Sequence, residues 1–152
     1  MSVQLGEPAP DFELSDQHGQ SVRLSDYRGS RPVTLVFFPL AFSSTCQGEL
    51  CELRDNIGIF QDEGVQLIGL SVDSKHSLRV WSEQQGFDFP LLADFWPHGE
   101  VARQYGVFLE DKGFANRGTF LIDADGILRA AFVTEPGRPR ELGAYREALA
   151  AL

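Results

Sequence analysis

Residues 33–56 read VTLVFFPLAFSSTCQGELCELRDN, and the period of this stretch changes partway along. Val33 to Phe38 is a continuous apolar run rich in β-formers, which suits a strand buried on both faces. Pro39 stops it, and a short Ser/Thr loop follows through Ser43, Ser44 and Thr45. From Cys46 to Phe60 the period becomes helical, with Cys46, Leu50, Leu53, Ile57 and Phe60 on one stripe. At about 100° per residue, Cys51 lies roughly 140° from the centre of that stripe, among Glu52 and Asp55. The chain has 2 cysteines, both in this stretch. Cys46 is expected to face the body of the domain and Cys51 its surface. Two thiols this close together beside a helix start make a chemical site the leading expectation.

Working outward, Gly64 ends the helical stretch, and Val65 to Val72 reads as a second buried strand. Asp73-Ser74 has the character of a cap for a helix from about Lys75 to Gln85, closed by Gly86. A loop through Phe89-Pro90-Leu91-Leu92-Ala93-Asp94 and Phe95-Trp96-Pro97-His98-Gly99 leads to a short helix ending near Tyr105. Thr119–Ile122 and Ile127–Val133 read as strands around the turn Asp123–Gly126, and a last helix is expected over roughly Arg140–Ala151. Before the central stretch, residues 11–24 alternate around Asp16–Gly19 as a hairpin. The order predicts an α/β domain spanning residues 1–152, with an N-terminal β-hairpin and a mixed central sheet flanked by helices on both faces. No repeat, linker or low-complexity segment interrupts it.

At 152 residues the chain can bury a full core, and 43% hydrophobic with 23% charged residues is ordinary for a globular protein. A formal charge of -9 argues against general nucleic-acid binding. No apolar run is long enough to span a bilayer. The segment MSVQLGEPAPDF lacks the basic-then-apolar pattern of a secretory leader, so a cytoplasmic location is expected. In a reducing compartment two cysteines point to catalysis or metal binding more than to a structural disulfide. His18, His76 and His98 do not fall at ligand spacing from either cysteine, which argues against a metal.

Pro39-x-x-x-Ser43-x-x-Cys46 is similar to the signature around the peroxidatic cysteine of peroxiredoxins. The resemblance extends through APDFEL, LSDYRG, VFFPLAF, FPLLADFWPHGEVARQYGVF and RGTFLIDADG, nearly the whole chain. FFPLAF, CQGEL, DFWPHG and ANRGTF resemble most the alkyl hydroperoxide reductase E-type members of actinobacteria, which typically use one cysteine. The spacing Cys46-x4-Cys51 instead resembles the bacterioferritin-comigratory, Q-type members, which use a second cysteine there as the resolving thiol. The resemblance implies a thioredoxin-like fold and a thiol peroxidase acting on hydrogen peroxide and organic hydroperoxides, without metal, flavin or haem. It implies Cys46 as peroxidatic thiol, Arg117 in Asn116-Arg117-Gly118-Thr119 contacting thiolate and substrate, Ser43 as a hydroxyl donor and Pro39 as a shield against water. A helix N-terminus beside Cys46 favours the anion independently of any name.

Cys51 is expected to resolve the Cys46 sulfenic acid as an intramolecular disulfide, which requires the helix from Thr45 to Cys51 to unwind. Residues five apart in a helix have Cα atoms about 8.6 Å apart, beyond the usual disulfide limit of about 7 Å. Thioredoxin or a similar dithiol protein would then be the reductant. The alternatives are a one-cysteine peroxidase served by mycothiol with a mycoredoxin, and a peroxide sensor or redox-controlled binding protein. Other residues also carry two readings. Ser43 is a helix cap or a peroxide contact, Arg117 a loop charge or a site residue, and Glu49 a solvated first-turn acid or a partner of Arg117. Trp81, Phe95 and Trp96 read as core, although Phe42, Phe95 and Trp96 together could form an active-site rim or a dimer patch. E-type likeness favours a homodimer and Q-type likeness a monomer.

Overall fold

The computed structural model describes residues 3–152. Its centre is a five-stranded sheet in the order β5-β4-β3-β8-β9, built from β3 (Val33–Phe37), β4 (Gln66–Ser71), β5 (Leu91–Ala93), β8 (Arg117–Ile122) and β9 (Leu128–Thr134). β3, β4 and β5 run parallel, while β8 and β9 run antiparallel to their neighbours, so the sheet is mixed as expected. The continuous apolar run explains the central place of β3: all five of its residues are buried. Leu35 and Phe37 enter one core with Ile68, Leu70, Tyr105 and Phe120. Val36 and Phe38 enter the other, with Leu50, Leu53, Phe60, Trp81 and Tyr145. Gly69 makes room for the second of these cores, because a Cβ there would come within 2.7 Å of Leu91 Cδ2.

The second core is covered by α1 (Ser44–Asp55), α2 (Gly58–Gln61), α3 (Lys75–Gln85) and α5 (Leu142–Leu149). The first is covered by the N-terminal segment and α4 (Glu100–Gln104). The expected hairpin is present as β1 (Glu13–Ser15) against β2 (Ser21–Arg23). Asp16 Oδ1 closes its turn by accepting the His18 and Gln20 N–H groups at 2.8 and 2.9 Å. Buried Gln17 then donates to the Phe89 carbonyl and accepts from the Leu91 N–H, which occupies the outer edge of β5. Asp94 caps α4 by accepting the Val101 and Ala102 N–H groups at 3.1 and 2.9 Å, and burial pushes its carboxyl up to about 6.

Four sequence expectations change. The helix expected from Cys46 to Phe60 is two helices, because Asn56 leaves the helical conformation and its side-chain amide donates to the Glu52 carbonyl at 2.9 Å. The last helix starts at Leu142, because the Arg140 backbone N–H donates to a Glu49 carboxylate oxygen. A small hairpin of β6 (Phe108–Leu109) and β7 (Phe114–Ala115) was not anticipated. His98 binds the Gly113 carbonyl at 2.8 Å between them. Trp81 is core, but Phe95 and Trp96 are 53% and 79% exposed.

Candidate active site

The site is built where β3 runs out. Phe38 and Pro39 are still buried, and the chain turns through Leu40–Ser43 onto α1. Phe42 takes a positive φ of 68°, uncommon for a residue other than glycine, with its ring 6.1 Å from that of Trp81. Ser43 is the N-cap in its backbone, since its extended conformation lets its carbonyl accept the Gln47 N–H at 2.8 Å. Its hydroxyl does not cap the helix. It donates back to the Leu40 carbonyl at 3.1 Å, leaving the first-turn N–H groups of α1 without a side-chain acceptor. Free N–H groups at a helix start favour negative charge.

Cys46 is the third residue of α1 and is fully buried, in the core that also contains Val36, Phe38 and Leu50. Glu49, one turn further on, is also buried and not a solvated acid. Its Oε1 accepts from Arg117 Nη1 at 2.8 Å and from Arg140 Nη2 at 2.7 Å. Its Oε2 accepts from the Arg140 backbone N–H at 2.6 Å and from Arg140 Nε at 2.9 Å. Arg117 opens β8 and donates through Nε to the Pro136 carbonyl, and Arg140 Nη1 donates to the Gly118 carbonyl and Thr119 Oγ1. Burial pushes the Glu49 carboxyl up, but the hydrogen bonds and charge of Arg140, with the charge of Arg117, outweigh it and hold the group below its ordinary value. Arg140 stays cationic although burial opposes its charge, because Tyr145, Glu49 and Cys46 around it all favour that charge. Two guanidinium groups against one carboxylate leave a buried surplus of one positive charge. A cleft of about 930 Å³ between the first turns of α1 and residues 138–142 has Glu49 and Arg140 on its wall.

Cys51 stands apart from this cluster. It is half-buried, and its thiol donates to Gln85 Oε1 at 3.4 Å, at the end of α3. Arg54 donates to the Gln85 carbonyl and to Asp55. Both cysteines are free thiols on one unbroken helix. Pro39, Ser43, Cys46, Glu49 and Arg117 therefore converge around the start of α1, whereas Cys51 is held at the α1–α3 contact. Arg140 was missed by sequence reasoning. Nothing local separates it from Arg138, two residues earlier and exposed.

Residues 5–131 match the AhpC/TSA family. The chain belongs to this family of peroxiredoxins. It is 49% identical over 150 residues to alkyl hydroperoxide reductase E of Mycobacterium tuberculosis, covering 99% of this chain and 98% of that one. It is 37% identical over 145 residues to peroxiredoxin tpx1 of Schizosaccharomyces pombe, with 89% and 74% covered. Among solved structures, peroxidoxin BcpB of M. tuberculosis superposes with a TM-score of 0.83 at 33% identity, covering 98% of this chain and 96% of that one. The reduced 2-Cys peroxiredoxin of Plasmodium vivax gives 0.88 at 26% identity, with 98% and 81% covered. The thioredoxin-like peroxiredoxin fold expected from the sequence is therefore the fold observed. Arg140 lies beyond the residues matched to the family.

Proposed function

We propose that this peroxiredoxin is a thiol-dependent peroxidase in which Cys46 reduces hydrogen peroxide and organic hydroperoxides. The observation that carries the reading is the surplus positive charge of Arg117, Arg140 and Glu49, buried beside Cys46, which a thiolate there would neutralise. The Cys46 thiolate attacks one peroxide oxygen. An S–O bond forms as the O–O bond breaks, and the departing oxygen takes up a proton and leaves as water or an alcohol. Sulfur is oxidised by two electrons to the sulfenic acid, and the peroxide is reduced.

Ionisation alone accelerates this step little, because an ordinary thiol near pKa 8.5 is already about 3% ionised at pH 7, a ceiling of about 30-fold. The larger contribution comes from donors to the stretched O–O bond. Arg117 Nη2 makes no protein hydrogen bond among the described residues and is one such donor. The Ser43 hydroxyl, on leaving the Leu40 carbonyl, and the first-turn N–H groups of α1 are the others. Pro39 has no N–H and shields the sulfur from water.

Cys51 then attacks the sulfenic sulfur, so that an S–S bond forms, the S–O bond breaks and water leaves. The helix between the two thiols must unwind for this, and Gly48 lies within it. A thioredoxin-like dithiol partner reduces the disulfide. The whole chain works as one cytoplasmic domain. The exposed side chains of Leu40, Phe42, Phe95 and Trp96 support a homodimer.

Intact-mass measurement after one equivalent of hydrogen peroxide tests the scheme. Loss of two hydrogens in a monomeric species, with no thiol left to alkylate, is the expected result. Gain of one oxygen with Cys51 still alkylatable would replace Cys51 by an external reductant such as mycothiol with a mycoredoxin. An unchanged mass, or peroxide consumption that survives Cys46→Ser, would overturn the peroxidase reading.

A further inference from the structure

The loop that carries Pro39 and Ser43 is held from a neighbouring strand. The sequence suggests Asp73 and Ser74 together as a cap for α3, but only Ser74 does this, accepting the Ser77 N–H at 3.2 Å. Asp73, just past the end of β4, turns the other way. Its Oδ2 accepts the Ala41 backbone N–H at 2.8 Å, 32 residues away in sequence. The same oxygen accepts the Ser71 hydroxyl at 2.6 Å, and Ser71 is fully buried at the last position of β4. Ser71 Oγ in turn accepts the Asp73 backbone N–H at 3.3 Å, so Ser71 ties both the carboxylate and the backbone of Asp73.

Ala41 is the residue before the left-handed Phe42 and two before the helix N-cap. A non-glycine residue at positive φ persists only where its surroundings hold it there. The other contacts of this loop are the Ser43 hydroxyl bond to Leu40, the bond of the Ser43 carbonyl to the Gln47 N–H, the buried Ala41 side chain and the half-exposed Phe42 ring beside Trp81, none of them with a charged group. The Asp73 carboxylate is the charged acceptor that joins this loop to the sheet. A charged acceptor makes a backbone N–H bond stronger than a neutral one.

We propose that Asp73 is a positioning residue for the peroxide reaction. It touches neither sulfur nor substrate. It sets the Leu40–Ser43 turn, and through it the placement of Pro39, the Ser43 hydroxyl and the first N–H groups of α1 around the reacting oxygens. The inference rests on the peroxidase reading above. Donors fixed before the reaction need no reorganisation during it, and misplacement by about 1 Å costs on the order of 100-fold in rate.

The test compares two reactions of Cys46 in the reduced full-length protein: oxidation by hydrogen peroxide, followed by stopped flow, and alkylation by iodoacetamide, read on the Cys46 peptide. Asp73→Ala is expected to slow oxidation by roughly 10- to 100-fold. Alkylation, which needs transient exposure of the buried Cys46 thiolate but no donors to an O–O bond, should change by less than about 3-fold. Asp73→Asn keeps an oxygen for the Ala41 N–H and should recover most of the oxidation rate. If Asp73→Ala does not fold, Asp73→Glu, whose carboxylate is displaced by one methylene, should show the same selective loss. Parallel loss in both reactions, or an unchanged oxidation rate in the folded variant, would overturn the proposal. A wild-type protein that fails to react with peroxide would instead overturn the peroxidase reading.

Discussion

The two halves of α1 carry one cysteine each and are anchored in different ways. The first half, Ser44 to Leu50, places Cys46 and Glu49 in full burial, and Glu49 receives four hydrogen-bond contacts from two arginines of distant segments. Trp81 Nε1 adds a bond to Gln47 Oε1 at 3.3 Å. The second half, Cys51 to Asp55, is half-exposed and is tied to the end of α3 through Gln85. A disulfide between the thiols requires the turn between them to open, and Glu49 sits in that turn. In the proposed scheme the obstacle to the bridge is therefore the half that carries the reacting thiol, because the ion cluster beside Cys46 also holds the turn that must open.

The largest effect is expected at Glu49. Glu49→Gln removes the carboxylate that the two buried guanidinium groups share, so that their charges outnumber any that Cys46 can offer, a loss of roughly 3–5 kcal/mol in urea unfolding. Cys51→Ser, in the other half, should cost less than about 1 kcal/mol. Equal losses would break the comparison. The first half would then be no more strongly anchored than the second.

The pH dependence gives a finer test, because two buried carboxyls shift in opposite directions. Glu49 is held below its ordinary 4.5, so its contribution is complete above that value and is lost as pH falls through its folded value. Asp94 is raised from 3.8 to about 6, so its contribution is complete below 3.8 and is lost as pH rises through 6. From pH 7.5 to 4.5 the protein should gain about 2 kcal/mol through Asp94, a gain absent in Asp94→Asn, and below pH 4 it should lose stability through Glu49. Hydrogen exchange at acid pH should then loosen residues 44–50 before 51–55. The reverse order would contradict the assignment of the ion cluster to the first half.

Much of this arrangement was legible because local pattern and tertiary role agree. The β3 run, the Ser/Thr loop and the stripe Cys46–Leu50–Leu53 report burial directly through their periods. Arg117 was found through its motif. Arg140 and the inward turn of Asp73 were not legible, for a physical reason. Both act through hydrogen bonds to residues 91 and 32 positions away, and a charged residue in a loop has the same local pattern whether it faces water or a buried partner. Glu49 had two readings for the same cause. The break at Asn56 was lost because the backbone leaves the helical conformation there, with Ile57 and Ile59 bonding only three residues back, while the apolar stripe continues to Phe60.

The smallest effect expected concerns the second half alone. Gln85 accepts the Cys51 thiol at 3.4 Å, a long and weak bond, so Gln85→Ala should lower stability by only about 0.5 kcal/mol. Its kinetic consequence separates two accounts of the bridge. If opening the Glu49 turn limits resolution, freeing Cys51 leaves the rate of disulfide formation after a peroxide pulse unchanged, within about 1.2-fold of wild type, since the barrier lies elsewhere. If release of Cys51 from α3 limits it, the rate rises with the substitution by about the factor that 0.5 kcal/mol allows, somewhat over 2-fold. The unequal anchoring of α1 predicts the first result. Combining Gln85→Ala with Glu49→Gln sharpens the separation, because only the second change should accelerate closure strongly.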